Sequence, residues 1–329
     1  MLMDTGSSFS WLQCQPCAIR CYTQADPLFD PTRSTTYKFL SCPSSECSSV
    51  EAATLNAPFC DLLSGGCVYT ATYGDASFSR GYLSEDLLTL TPSQILPHFV
   101  FGCGQNNVGL FGRSSGIIGL ARHKLSMIAQ LSTKYGYAFS YCLPRAGSPS
   151  GGGGFLSIGK ILASSYKFTP MITDSQDPSL YFLRLTDISV AGTPIKVDAA
   201  EYKVRTIIDS GTVITRLPTS VYDALRQAFV KIMSTKYVQA PAYSILDTCF
   251  RGSLQSMKVV PQIRMVFQES AELNLGAANV LVEADSGVMC LAFAGNNEIS
   301  IIGNHQQQTF GVAYDVASLR IGFAPNTCR

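Results

Sequence analysis

Two short strings constrain this chain more than anything else in it: Asp4-Thr5-Gly6-Ser7-Ser8 and Asp209-Ser210-Gly211-Thr212. Each is an acid followed by a small hydroxyl residue, a glycine and a second hydroxyl residue. Each follows a strand-like run, Met1-Leu2-Met3 in one case and Thr206-Ile207-Ile208 in the other. A lone Asp-Thr-Gly is an ordinary Asx turn. Here the duplication extends further. Ser115-Gly116-Ile117-Ile118-Gly119 lies about a hundred residues after the first acid, and Ser300-Ile301-Ile302-Gly303 lies at a similar distance after the second. Two separated pieces repeated in the same order predict two similarly built halves, each presenting one carboxylate to a single site.

The composition agrees with two halves. A chain of 329 residues is long for one core and fits two domains of ordinary size. It is 46% hydrophobic and 14% charged, enough apolar material for a large interior. Low charge with many Gly, Ser, Thr and Tyr favours strands over helices. The net charge is +1 with no basic block, so electrostatically driven nucleic-acid binding is excluded. No apolar run is long enough to span a bilayer as a helix.

Twelve cysteines are many for such a chain. Seven crowd together (Cys14, Cys17, Cys21, Cys42, Cys47, Cys60 and Cys67), and Cys103, Cys142, Cys249, Cys290 and Cys328 follow. An even number in a loop-rich region reads as disulfides formed in an oxidising compartment. Cys14-x2-Cys17 could be half of a zinc site, but the spacing to Cys21, Cys42 and Cys47 does not repeat it, and His98, His123 and His305 are scattered. Disulfides are therefore expected and a metal site is not.

Strand patterns over 66–75 and 81–90 predict a hairpin with its tip at 74–80. Residues 148–154, almost all Ser, Pro and Gly, read as a surface loop. Two helices are expected. The first covers 124–135. The second covers 218–233, with the stripe Val221, Leu225, Phe229 and Ile232, Pro218 at its start and Thr219 or Ser220 as cap. The run His305-Gln306-Gln307-Gln308 reads as loop and strand surface. The glycines at 102–104 and 151–154 lack a strand–loop–helix phosphate context.

With its paired acid loops, its two Ile-Ile-Gly segments, Tyr73-Gly74-Asp75 at the hairpin tip and the cysteine cluster, the chain resembles the pepsin-like aspartic peptidases over essentially its whole length. It is most similar to their plant, nepenthesin-like branch. The resemblance implies a mostly β, bilobal fold. Two β-barrel-like lobes would flank an active-site cleft, with few short helices. The lobes would be 1–172 and 173–329. The catalytic pair would be Asp4 and Asp209. Gly6 and Gly211 would let the backbone turn at the acids, Thr5 and Ser210 would interlock beneath them, and Ser7 and Thr212 would donate to their outer oxygens. Tyr73, Gly74 and Asp75 would form a flap over bound peptide, with Trp11 supporting Tyr73. Ala76 stands where many relatives have glycine and would stiffen that flap. Pocket residues around Leu110, Phe111 and Ile117 would favour apolar side chains. The implied bridges are Cys14–Cys17, Cys21–Cys103, Cys42–Cys67, Cys47–Cys60, Cys142–Cys328 and Cys249–Cys290.

The implied activity is hydrolysis of peptide bonds in acid by a water activated between two carboxylates that share one proton. A polypeptide substrate, no cofactor, no metal, no nucleic-acid or membrane partner, and a monomeric state go with it. The alternative is a catalytically silent binding protein of the xylanase-inhibitor-like type. The cysteines imply export to the cell exterior, with vacuole or plastid as alternatives, yet no signal peptide is present. The expectation is therefore a truncated chain, with leader, prosegment and first strands preceding Met1.

Overall fold

The computed structural model describes residues 1–145 and 153–328. The loop expected over 148–154 lies, for residues 148–152, outside them. The described chain forms two compact units. One is Met1–Lys134 with Asp177–Leu180, and the other is Tyr135–Gln176 with Tyr181–Arg329.

The first unit is built on one eight-stranded sheet. At one end the strand Leu2–Asp4 runs parallel to Gly116–Gly119, pairing Leu2 with Ile117, Met3 with Ile118 and Asp4 with Gly119. Trp11–Gln13 lies on the other side of Gly116–Gly119, antiparallel to it, and is also parallel to the long strand Gln94–Val108. That strand is paired in turn with Phe78–Thr91, and Phe78–Thr91 with Cys67–Thr72. The expected hairpin is present, but its tip is shorter, at 73–77. Thr72 already pairs with Phe78, so the polar residues up to Arg80 belong to the returning strand. Beneath the sheet, Phe9, Trp11, Val50, Tyr69, Leu83, Phe111, Ile117 and Leu125 form one core.

The second unit repeats that strand order. Thr206–Ile208 is parallel to Ser300–Ile302, pairing Ile207 with Ile301 and Ile208 with Ile302. Thr215–Pro218 lies on the other side of Ser300–Ile302, antiparallel to it and parallel to Phe293–Asn296. The all-apolar, β-branched character of Ile207-Ile208 and Ile301-Ile302 suits strands covered on both faces. A separate five-stranded sheet joins Phe155–Ile158, Ala138–Cys142, Gly311–Asp315, Arg320–Ala324 and Lys167–Pro170. These pairings draw 135–176 into the second compact unit, whereas the sequence repeat divides the chain at 172/173. The repeat follows the acid loops; compactness follows hydrogen-bonded strands.

Both expected helices form, at Met127–Tyr135 and Thr219–Met233. In the second, Met233 rather than Ile232 completes the buried stripe with Val221, Leu225 and Phe229. Pro218 is its cap position and no side chain caps it. Thr219 Oγ1 donates instead to Asn297 Oδ1 at 2.7 Å, and Ser220 Oγ to Glu201.

All twelve cysteines are bridged. Cys142–Cys328 and Cys249–Cys290 pair as expected. The other four bridges are Cys14–Cys103, Cys17–Cys21, Cys42–Cys60 and Cys47–Cys67, which corrects the pairings Cys14–Cys17, Cys21–Cys103, Cys42–Cys67 and Cys47–Cys60. Strand register is the reason. Leu12 pairs with Cys103 and Gln13 with Gly104, which leaves the Cα of Cys14 5.4 Å from that of Cys103. Cys67 points into the core, where Cys47 packs from a short helical segment, and Cys60 turns to Cys42.

Candidate active site

Each acid stands at the end of a strand, Leu2–Asp4 or Thr206–Ile208, and begins a tight loop, and the two loops are close copies. In the first, the Gly6 N–H donates to Asp4 Oδ1 at 2.9 Å. In the second, the Gly211 N–H donates to Asp209 Oδ1 at 2.9 Å. Both acids are buried, at 8% exposure. A carboxylate held by a backbone N–H two residues on has its direction set by the turn itself.

The Ile-Ile-Gly segments lock these loops from the side. Gly119 sits so close to the first loop that a Cβ on it would lie 2.6 Å from Phe9 N. A Cβ on Gly303 would lie 2.6 Å from Val213 O. Only glycine allows this approach. Each glycine N–H then donates to a hydroxyl six residues beyond the acid: Gly119 to Ser10 Oγ and Gly303 to Thr215 Oγ1, both at 3.0 Å. Ser10 and Thr215 were missed in the sequence, although the equal spacing from Asp4 and Asp209 was there to be read.

The loops differ at the outer hydroxyl. Thr212 Oγ1 donates to Asp209 Oδ2 at 2.7 Å, as the motif implies. Ser7 Oγ does not do so; it is buried and makes no hydrogen bond. Threonine's branched Cβ restricts χ1, and serine at the matching position has no such restriction. Thr5 and Ser210 are both buried, and the Ser210 carbonyl accepts from Asn304 Nδ2 at 3.0 Å.

Over the first loop, Trp11 Nε1 donates to Tyr73 Oη at 2.7 Å, and Trp11 is wholly buried. Phe111 packs edge-on against both rings. Phe111 and Ile117 are thus part of the core under the hairpin, while Leu110 is exposed. Burial drives the Tyr73 phenol well above its ordinary pKa. The Trp11 hydrogen bond opposes that rise, and the Asp4 and Asp75 charges add to it. The tip is fastened by Asp75, whose carboxylate accepts from the Ser77 N–H at 2.9 Å and from Ser77 Oγ at 2.7 Å. Gly74 has open space around it. Ala76 holds a left-handed backbone, φ +65°, the conformation a glycine would take without steric cost.

The run from His305 to Gln308 is not surface, contrary to the sequence reading. Asn304–Gln307 is a short helix, and Gln306 and Gln307 are fully buried. Apolar periodicity cannot reveal this, because the burial is carried by amides bonded to backbone. Gln306 Oε1 accepts from the Thr215 N–H and hydroxyl, and its Nε2 donates to the carbonyls of Asn279 and Ala292. His305 Nε2 donates to the Leu281 carbonyl at 3.1 Å, and burial holds its pKa below the ordinary value. Among the described residues no group of three or more His, Cys, Asp or Glu could hold a metal ion, and no helix is long and apolar enough to cross a membrane.

Comparison with known proteins places this geometry. A family model described as xylanase inhibitor N-terminal matches residues 1–160, and one described as xylanase inhibitor C-terminal matches residues 180–325. An aspartyl protease family protein of Arabidopsis thaliana is 43% identical, over 100% of this chain and 69% of its own length. Aspartic proteinase nepenthesin-2 of Nepenthes gracilis is 35% identical, over 99% of this chain and 74% of its own. The crystal structure of basic 7S globulin from soybean superposes with a TM-score of 0.75 at 23% identity, over 98% of this chain and 86% of that one. That likeness establishes the fold.

Proposed function

We infer, for a chain that belongs to the pepsin-like aspartic peptidases of plants, that it is an endopeptidase in which Asp4 and Asp209 act as a catalytic pair. The observation that carries this reading is the duplicated loop. Two buried acids, each held at Oδ1 by the N–H two residues on, lie in matching register beside an Ile-Ile-Gly segment. The silent binding reading is not favoured, since relatives named as proteases share 31–43% identity over 99–100% of this chain.

In this reading the pair carries one proton, because two neighbouring carboxylates do not both ionise cheaply. The ionised partner takes a proton from a water, which attacks the scissile carbonyl carbon. The protonated partner donates to the carbonyl oxygen. A gem-diol forms, a proton passes to the amide nitrogen, and the C–N bond breaks. No enzyme atom bonds covalently to the substrate. The titration belongs to the pair, so neither acid holds a fixed role. Tyr73, Gly74 and Asp75 would close over the peptide, with Trp11 holding the Tyr73 hydroxyl. Six disulfides favour an oxidising compartment, hence export or a vacuole. The reading includes action as a monomer on polypeptides.

The test is cleavage of a denatured protein at acid pH. It should be blocked by a statine-type inhibitor and lost in Asp209→Asn. Full activity in Asp209→Asn would remove the dyad.

A further inference from the structure

Both acid loops need a hydrogen-bond donor for the acid's own peptide carbonyl, and the two units supply it differently. In the first, the backbone N–H of Leu120 donates to the Asp4 carbonyl at 2.8 Å. In the second, the backbone after Gly303 is diverted: the Asn304 N–H goes to the Thr212 carbonyl at 2.7 Å and the His305 N–H to the Val213 carbonyl at 3.1 Å. The Asp209 carbonyl takes a side chain instead. Gln307 Nε2 donates to it at 3.2 Å and to the Ile302 carbonyl at 2.8 Å. The Ile302 carbonyl closes the strand Ser300–Ile302, and the Asp209 carbonyl follows directly on the strand Thr206–Ile208 parallel to it.

The carboxamide cannot choose its orientation. Its Oε1 accepts from the Tyr141 hydroxyl. That uses the one phenolic proton of Tyr141, so the 3.0 Å contact with Tyr314 Oη is a bond donated by Tyr314. The order is therefore Tyr314 to Tyr141 to Gln307, and from Gln307 to both carbonyls. Gln307, Tyr141 and Tyr314 are each 0% exposed. Burial, Tyr314 and the Asp209 charge raise the Tyr141 pKa well above the ordinary value, so Tyr141 remains a donor at any working pH.

We propose that Gln307 is a positioning residue for the reaction: its carboxamide, oriented by the hydroxyls of Tyr141 and Tyr314, fixes the peptide carbonyl of Asp209 and thereby the direction of the Asp209 carboxylate. The proposal rests on the reading of Asp209 as one of the catalytic acids. Rotation of that peptide would turn Oδ1 from the Gly211 N–H and Oδ2 from Thr212 Oγ1. Both bonds favour the charged carboxylate, so their weakening raises the pH at which activity appears.

The experiment compares Gln307→Met, which keeps the volume and removes both donors, with Tyr141→Phe, which keeps the ring and removes the orienting proton. Phe229→Leu, a truncation in the core of the helix Thr219–Met233, serves as stability control. The measurements are Tm, then kcat and KM on a fluorogenic peptide across pH, all below the lowest Tm. For Gln307→Met, kcat should fall about 10- to 100-fold, the cost of misplacing a reacting group by up to about 1 Å. KM should stay within about twofold, and the acid limb of the pH profile should move to higher pH. Tyr141→Phe should move the same quantities in the same directions by less, and Phe229→Leu should lower Tm alone. Wild-type kcat and pH limbs in Gln307→Met would overturn the proposal. If Gln307→Met does not fold, the same result in Tyr141→Phe would overturn it. Asp209→Asn separates the two levels: full activity there sinks the dyad, whereas an inactive Asp209→Asn beside an undisturbed Gln307→Met sinks only the role of Gln307.

Discussion

Replacing Gly303 by alanine adds one methyl group at a place where the backbone leaves no room. The new Cβ would stand 2.6 Å from Val213 O and 2.9 Å from both Val213 C and Ile214 C. These atoms are backbone, so no side chain can swing aside. Relief to an ordinary contact of 3.4 Å requires the loop after Asp209 to move away by roughly 0.8 Å. Forcing extra volume into a packed interior costs about 1–3 kcal/mol. At about 2–4 °C per kcal/mol for a unit of this size, Tm should drop by roughly 2–12 °C. The same displacement pulls the Gly303 N–H from Thr215 Oγ1 and shifts Thr212 under the Asp209 carboxylate. An offset approaching 1 Å at a reacting group costs up to about 100-fold, so kcat/KM should fall by roughly 10- to 100-fold, or about 1.4–2.7 kcal/mol of barrier. Gly276→Ala is the matched control, because a Cβ there meets nothing within 4 Å. Scanning fluorimetry and turnover of a fluorogenic peptide at acid pH measure both effects. If Gly303→Ala proves as stable and active as Gly276→Ala, the close-approach reasoning is wrong.

Thr212→Val removes the 2.7 Å bond to Asp209 Oδ2 and should cost about 1–2 kcal/mol of transition-state stabilisation, with the acid limb moved up in pH. Ser7→Ala should be nearly silent in the same assay, because Ser7 Oγ makes no hydrogen bond; equal losses in the two variants would contradict the asymmetry. Peptide mapping without reduction should recover Cys14–Cys103, Cys17–Cys21, Cys42–Cys60 and Cys47–Cys67, and recovery of Cys14–Cys17 would refute that framework. In the turn after Cys60, hydrogen bonds from Ser64, Tyr82 and the Leu63 N–H hold the Asp61 carboxyl down at about 2, below the ordinary 3.8. A depressed folded-state pKa contributes stability above the ordinary value that is lost as pH falls through the folded one. A chemical-shift titration of that turn should therefore show no transition until pH approaches about 2; a midpoint near 4 would show the bonds absent.

How much of this was legible in the chain depends on what kind of force fixes each part. Asp4, Asp209 and the Ile-Ile-Gly segments could be read because a tight turn beside a close backbone contact admits few residue types. The helix Thr219–Met233 could be read from its apolar period. Gln306 and Gln307 could not, since a glutamine bonded to buried carbonyls looks in sequence like a glutamine in water. The bridges at Cys14, Cys17, Cys42 and Cys47 were misassigned for a related reason. Pairing depends on strand register and side-chain direction, and spacing along the chain encodes neither. Ser7 failed because a motif names a hydroxyl without its rotamer.

The bridge between Cys142 and Cys328 joins residues 186 apart and turns the intervening chain into a covalent ring. Asp209, Thr212, Thr215 and the amide pair Gln306 and Gln307 all lie inside it. Val238, Tyr243 and Ile245 are exposed on that ring, where a neighbouring peptidase molecule would find an accessible bond. A single cut there opens the ring without releasing a fragment, since both new ends remain tied through Cys142 and Cys328. The strands Thr206–Ile208 and Ser300–Ile302 then stay at high effective concentration for each other. The chain thus gains tolerance to being nicked from its topology, independently of how rigid any one loop is.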